Sequence, residues 1–366
     1  MRTIGLLTLL GISLAVQGQV KTPRGSKLAF VSEEIGITDV RIDYSRPAVN
    51  GREGKIWGDL VPYGFADYHY GTSKAAPWRA GANENTTIEC STDVTIEGKT
   101  LPAGKYGFFI AMGQEKATLV FSKDNNAWGS FYYNPGSDIL RIDVPVIKTR
   151  ESVERLQYQF VDETDSSAVI MLLWEKIKIP FTVAVDLKKT QLDAYRYAFN
   201  SGTFYEYWQN MQAAADFCLV NDVDLEEGLG WADRSINTYF GEANFRTLTT
   251  YAGLLEKAGR RQEADSLLKV AFPKGNTEEI YWYGVRLLRM KKNKAAFDAF
   301  KFNYDKSPSH WLTNFGLAKG YAAAGDKTAA IKYADSAIRL VQDQPTKEYV
   351  GRMKEDIVNG KDVSVF

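Results

Sequence analysis

Apolar and polar residues alternate with a period of two through the first half of the chain. Val40, Ile42 and Tyr44 alternate with Arg41 and Asp43, which is typical of a strand with one buried face. Because turn signals separate such runs and no helical pattern intervenes, we expect antiparallel strands that form a β-sandwich or a flattened barrel, with the sandwich favoured. Further predicted strands lie at 105–112, 117–122, 139–146, 156–161, 168–174 and 179–185.

The periodicity becomes helical near residue 187 and remains so to the end. Gly284 and Ala318 are 34 residues apart, as are Ala296 and Ala330, and 34 residues is the period of the tetratricopeptide repeat. Small residues at such positions let two helices pack closely. The sequence therefore predicts a tetratricopeptide-like α-helical stack over residues 188–366.

The first residues have the pattern of an export signal. Arg2 precedes an apolar run over 4–16, and Gly18 fits the small residue before a signal-peptidase cut. No later run reaches the roughly 18 apolar residues of a transmembrane helix. We therefore expect a signal peptide over residues 1–18, a periplasmic or extracellular location and no transmembrane segment.

Composition argues against several classes of function. Lys plus Arg and Asp plus Glu both number 45, so there is no basic excess to bind nucleic acid. The two histidines, His69 and His310, and the two cysteines, Cys90 and Cys218, are too few for a zinc site or a familiar nucleophilic triad. We expect no metal, no cofactor and two separate buried thiols.

The N-terminal motifs carry a resemblance to a known family. They are IGITDVRIDYSRPAVNGR, KIWGDLVPYG, WRAGANENTTIECSTDVTIEGKTLPAGKYGFFI, FSKDNNAWGSFYYNP and DILRIDVPV. Their succession resembles the bacterial domain-of-unknown-function family 2911, and we assign the β domain to residues 24–187. The resemblance implies an exported β-rich domain without an assigned activity. The segment FADYHYGTSKAA, residues 65–76, departs from the family pattern as an insertion.

A small-residue loop before a predicted strand contains the first candidate site. Trp78, Arg79, Asn83 and Glu84 lie in this loop, and Arg46 supplies a second guanidinium group. One interpretation is an ion-pair cluster that closes one end of the β domain. The other is a pocket that holds a polar ligand such as a glycan or a peptide, because guanidinium and indole groups bind and stack on such ligands.

Two carboxylates give an enzymatic alternative. Glu84 and Asp138 flank predicted strand ends, and glycoside hydrolysis needs two carboxyl groups at a suitable separation. The alternative function is therefore a carbohydrate-active hydrolase.

An aromatic run in the helical region gives the second candidate site. Tyr281, Trp282 and Tyr283 could line a groove for a peptide or a protein partner, or they could pack in a hydrophobic core. Together these features predict an exported, non-enzymatic binding or scaffolding protein.

Overall fold

The chain divides into two compact units with the boundary after Gln191. The computed structural model describes residues 22–201 and 207–362, so the predicted signal peptide lies outside the described residues. We call the two units the β domain and the repeat domain. None of the described helices is long and apolar enough to cross a membrane.

The β domain contains two antiparallel sheets. The six-stranded sheet has the order β1-β2-β3-β6-β7-β8, and the four-stranded sheet has the order β5-β4-β10-β9. The strands are β1 (Lys27–Ile35), β2 (Thr38–Arg46), β3 (Thr86–Cys90), β4 (Val94–Ile96), β5 (Lys99–Leu101), β6 (Gly104–Ala111), β7 (Lys116–Ser122), β8 (Asp138–Pro145), β9 (Ile147–Val161) and β10 (Ser167–Ala184).

Side chains from both sheets meet in one hydrophobic core. Tyr44 of β2 lies 4.7 Å, between ring centroids, from Tyr158 of β9. Phe108 of β6 lies 5.6 Å from Phe181 of β10. These residues are buried because the period-two alternation of each strand places its apolar side chains on one face. The predicted antiparallel strands are confirmed.

A tryptophan cluster connects the long β2–β3 loop to this core. The ring of Trp57 lies 5.6 Å from Trp78 and 5.5 Å from Trp174, and Trp78 stacks on Trp174 at 5.9 Å. The Nε1 of Trp78 also donates to the carbonyl of Gly81 at 3.0 Å. Buried aromatic pairs of this kind fix the loop against β10.

Helical hairpins make up the repeat domain. The helices are α1 (Leu187–Asn200), α2 (Trp208–Asn221), α3 (Leu225–Asn237), α4 (Phe245–Lys257), α5 (Arg261–Lys274), α6 (Thr277–Arg289), α7 (Asn293–Lys306), α8 (Trp311–Ala323), α9 (Lys327–Leu340) and α10 (Gln344–Val358). Helices α4, α6, α8 and α10 start at intervals of 32, 34 and 33 residues, close to the tetratricopeptide period of 34. The predicted repeat stack is confirmed.

Glycines allow the helices to pack closely around one phenylalanine. A Cβ atom on Gly284 would lie 2.4 Å from the ring of Phe300, and one on Gly316 would lie 2.6 Å from the same ring. Phe300 is fully buried. Gly284, one of the small residues that indicated the repeat in the sequence, therefore helps to create the space that this ring fills, and Gly316 adds to it.

Both cysteines are free and buried, as the sequence predicts. Burial raises the pKa of the Cys90 thiol to about 12, with a smaller contribution from Glu89. Burial raises the pKa of the Cys218 thiol to about 11. Thiols with such raised pKa values are poor nucleophiles near neutral pH.

Candidate functional sites

A cavity of about 280 Å³ in the β domain brings together three of the five residues predicted to bind a ligand. Trp78, Arg79 and Asn83 line it, together with Arg52 and Trp174. We call it the arginine cavity. Arg52 comes from the same long loop and Trp174 from the middle of β10. No local sequence pattern links either residue to the other three.

Arg79 is held in place by contacts that leave its charge uncompensated. Its Nη1 donates to the backbone carbonyl of Asn83 at 2.8 Å, and its Cζ lies 4.9 Å from the centre of the Phe131 ring. Any side chain at Gly129 would come within 2.6 Å of that guanidinium carbon. Burial lowers the pKa of Arg79, because desolvation disfavours its charged form.

Buried hydrogen bonds hold the backbone around the cavity in place. Ala80 and Asn83 have φ values of 53° and 60°, which few residues other than glycine adopt. The carbonyl of Ala80 accepts hydrogen bonds from Thr86 Oγ1 at 3.0 Å and from Tyr158 Oη at 2.8 Å. The buried hydrogen bonds hold the loop in this conformation, so Arg79 is positioned before any ligand arrives.

Arg46 and Glu84 do not line the arginine cavity. The Nε of Arg46 donates to the carbonyl of Leu156 at 2.9 Å. Glu84 forms an ion pair with Arg24 at 2.8 Å and accepts a hydrogen bond from Ser45 Oγ at 3.4 Å. These two residues therefore make structural contacts of the kind that the ion-pair interpretation predicts.

Asp138 is also engaged in structural contacts. Its Oδ2 accepts hydrogen bonds from Tyr133 Oη at 2.5 Å and from Arg141 Nε at 2.7 Å. The pKa of Tyr133 is raised, by desolvation first and then by its bond to Asp138. Neither Asp138 nor Glu84 lines the arginine cavity. Each carboxylate of this pair is ion-paired with an arginine, Asp138 with Arg141 and Glu84 with Arg24.

The inserted segment adds aromatic side chains beside the arginine cavity. Tyr68 lines the cavity, and its ring lies 6.0 Å from that of Phe131. Tyr70 lies 5.0 Å from Phe131 and 6.4 Å from Tyr132, and both tyrosines are largely exposed. The side chain of His69, which lies between Tyr68 and Tyr70 in the sequence, is exposed. Tyr68 and Tyr70 were not predicted as site residues. The many aromatic residues of the inserted segment could have indicated a binding site there.

A groove of about 510 Å³ in the repeat domain forms the second site. It is lined by the first helices of three successive hairpins, with Gln212 from α2, Phe245 and Thr250 from α4, and Trp282 and Arg286 from α6. We call it the repeat groove. Its lining combines aromatic and polar side chains.

A chain of polar contacts links these helices along the groove. Gln212 Nε2 donates to Thr250 Oγ1 at 3.0 Å, and Thr250 Oγ1 donates to Asp216 Oδ1 at 3.3 Å. Arg286 Nη1 donates to the same carboxylate oxygen at 2.5 Å. The second terminal nitrogen of Arg286 is buried and makes no hydrogen bond with any described residue. The groove therefore holds both a compensated charge and an unused donor.

The three consecutive aromatic residues separate into different environments. Trp282 is 59% exposed and lines the groove. Tyr283 also lines it but packs 5.7 Å from the ring of Phe245, and burial raises the pKa of Tyr283 to about 12. Tyr281 is 3% exposed and stacks on Phe315 in the core. Of the predicted partner-binding residues, Tyr281 is a core residue, because neighbouring positions on a helix point about 100° apart.

The fold and the two sites define a class of protein: an antiparallel β domain followed by a tetratricopeptide-like helical stack. Residues 26–183, which lie in the β domain, match the family DUF2911, described as a protein of unknown function. The predicted resemblance is therefore confirmed for this part of the chain. No curated protein matches the chain.

Several solved structures are similar to part of the chain. YrrB, described as a TPR protein with an unusual peptide-binding site, is 17% identical, covering 46% of this chain and 84% of its own, at a TM-score of 0.27. MamA is 12% identical, covering 42% of this chain and 88% of its own, at a TM-score of 0.28. A MamA fragment from Desulfovibrio magneticus RS-1 is 17% identical, with 42% and 88% covered and a TM-score of 0.26.

Proposed function

We propose that the repeat domain binds a short peptide segment of a partner protein in the repeat groove, so that the chain acts as a binding or scaffolding protein. The observation that carries this proposal is the position of Trp282, a largely exposed indole within a groove built from α2, α4 and α6. Large exposed aromatic side chains in concave surfaces are the usual anchors of protein interfaces.

The polar lining suits an extended peptide. A bound peptide presents a backbone N–H and a carbonyl at each residue, and these groups lose free energy if they are buried without partners. Gln212 and Asn276 line the groove with side-chain amides, which both donate and accept hydrogen bonds. An apolar peptide side chain would pack against Trp282.

The test uses peptides selected from a random phage-displayed library on the full-length protein. Their dissociation constants are then measured by fluorescence anisotropy on wild-type protein and on Trp282→Ala. We expect the substitution to weaken binding at least about tenfold, since it removes an anchor side chain.

Tyr239→Ala is the matched control, because Tyr239 is 93% exposed in the repeat domain and does not line the groove. This variant should bind the peptides as the wild type does. Selection of no peptide, or equal affinities of the two variants, would contradict the proposal.

We propose a second function for the β domain, the binding of a polar ligand, either a glycan or a peptide, in the arginine cavity. The supporting observation is that Arg79 lines a cavity and forms no ion pair with any described carboxylate. Saturation-transfer NMR with a panel of monosaccharides and dipeptides tests it. Arg79→Ala should abolish the signals with little change in melting temperature, whereas a large loss of stability without any ligand signal would indicate a structural latch.

We also propose that the chain is exported to the periplasm or the cell exterior, on the basis of the apolar N-terminal run. Expression in a bacterium followed by cell fractionation and N-terminal sequencing tests this. A mature protein that begins after Gly18 is expected, and a cytoplasmic protein that retains Arg2 would overturn the proposal.

A further inference from the structure

The charged side chains that line the arginine cavity are all positive. Arg52 and Arg79 both line it, and no Asp or Glu does. Arg52 donates from Nε to the carbonyl of Val49 at 2.9 Å and from Nη2 to the carbonyl of Ala48 at 2.8 Å. Within residues 22–201 and 207–362, neither arginine is paired with a carboxylate. Two partly buried guanidinium groups in one cavity repel each other unless an anion lies between them.

The cavity wall also contains a donor that no described group uses. Trp174 is 1% exposed, and its Nε1 makes no hydrogen bond with any described residue. An indole N–H can only donate, so this group needs an acceptor. Buried polar groups without partners are uncommon in folded proteins.

Apolar and aromatic side chains form much of the remaining wall, together with the polar residues Ser26 and Asn83. The rings of Tyr68 and Trp78 line the cavity, as do the aliphatic side chains of Leu60 and Val61. A volume of about 280 Å³ corresponds to roughly nine waters at ~30 Å³ each in the liquid. A cavity of this size and lining fits one small molecule with an anionic group and a ring or short apolar body.

We infer that the arginine cavity binds a small organic carboxylate, with the carboxylate at Arg79 and Arg52 and the ring or apolar body against Tyr68 and Trp78. The planar fork of a guanidinium group matches a carboxylate with two parallel hydrogen bonds. Arg79 is held in place by Asn83 and Phe131, so little side-chain entropy is lost on binding. This inference rests on the second proposed function and adds the charge class of the ligand.

Benzoate and benzamide are the primary probes, because they share size and shape and differ in charge. Binding to the full-length protein is measured by isothermal titration calorimetry, with tryptophan fluorescence as a second readout from Trp78 and Trp174. Benzoate should bind at least about tenfold more tightly than benzamide. Phenyl phosphate is the third probe, and tighter binding of it than of benzoate would overturn the assignment of a carboxylate.

Arg79→Gln and Arg52→Gln should each weaken benzoate binding at least about tenfold, and Arg79→Lys should restore only part of the affinity, since lysine cannot form the two-bond fork. Arg150→Gln is the matched control, because Arg150 is an exposed arginine of β9 that does not line the cavity. If Arg79→Gln does not fold, the Arg52→Gln variant decides. Unchanged benzoate affinity in the folded cavity variants would overturn the inference.

Two further probes distinguish the source of the carboxylate. D-glucuronate carries the carboxylate on a sugar, and N-acetylphenylalanine carries it at a peptide end. The probe that binds more tightly identifies whether the natural ligand is a sugar or a peptide. The outcomes also distinguish failure of this inference from failure of the proposed polar-ligand site. Equal binding of benzoate and benzamide would keep a polar-ligand site but refute its charge selectivity, whereas binding of none of the probes would refute both.

Discussion

The arginines of the two sites differ in their partners. In the repeat groove, Arg286 is paired with Asp216 at 2.5 Å, and Arg246 lies 3.6 Å from Glu279. In the arginine cavity, Arg79 contacts only a backbone carbonyl and an aromatic ring. A compensated guanidinium group helps to hold helices together, while an uncompensated one is available to an anionic ligand. Because of this difference, we propose that the groove recognises the shape and backbone of a peptide and that the cavity recognises the negative charge of its ligand.

The largest expected effect concerns the packing that forms the groove. Phe300→Ala removes the ring against which Gly284 and Gly316 pack, and it should lower the free energy of unfolding of the repeat domain by about 3–5 kcal/mol. Urea denaturation followed by circular dichroism at 222 nm, which reports the helices, measures this. Phe302→Ala is the control, because Phe302 lies on the same helix and is 37% exposed. An equal loss in both variants would show that the interhelical contact of Phe300 is not special.

Breaking the charge pair of the groove should cost more than removing the charge of the cavity. Asp216→Ala leaves Arg286 without its carboxylate and should lower stability by about 1–3 kcal/mol. Arg79→Gln removes a charge without a carboxylate partner and should change stability by less than about 1 kcal/mol. Thermal and urea unfolding of both variants test the contrast. A larger loss for Arg79→Gln would make Arg79 a structural latch.

The two thiols give a smaller comparison between the domains. Burial raises the pKa of Cys218 to about 11 and that of Cys90 to about 12, so we expect Cys218 to form thiolate at the lower pH. Alkylation by iodoacetamide followed by mass spectrometry should label Cys218 first. Both folded-state pKa values lie above the unfolded value, so the stability that the buried thiols contribute is present below that value and lost as the pH rises towards 11–12. Replacement of Cys90 by Ala should reduce this alkaline loss, and equal labelling rates would contradict the ranking.

Salt should affect the two sites unequally, and this is the smallest expected effect. Raising NaCl from about 0.05 M to 0.5 M should weaken benzoate binding to the arginine cavity about threefold, because salt screens an uncompensated charge. Peptide binding to the repeat groove should change less, since its arginines already face carboxylates. Titration calorimetry at both salt concentrations measures the two responses. The reverse order would contradict the comparison of charges.

The sequence predicts elements better than it predicts sites, for physical reasons. Alternation in β2 and small residues such as Gly284 are local patterns that pleating and helix packing impose directly. Trp78, Arg79 and Asn83 were predicted together because they belong to one loop. The register of β10 brings Trp174 to the same cavity, and no local pattern records that register.

The aromatic run in α6 shows the same limit on a smaller scale. Tyr281, Trp282 and Tyr283 are consecutive in the sequence and were predicted as one surface. A helix turns about 100° at each residue, so at most part of such a run can face one groove. The contact of Tyr281 with Phe315 depends on α8, whose packing position follows from the repeat as a whole.

The most direct test of two separate sites is the affinity of one selected peptide for Trp282→Ala and for Arg79→Gln, measured side by side by fluorescence anisotropy. The account predicts at least about tenfold weaker binding to Trp282→Ala and unchanged binding to Arg79→Gln. Peptide binding that is lost with Arg79→Gln and kept with Trp282→Ala would contradict it.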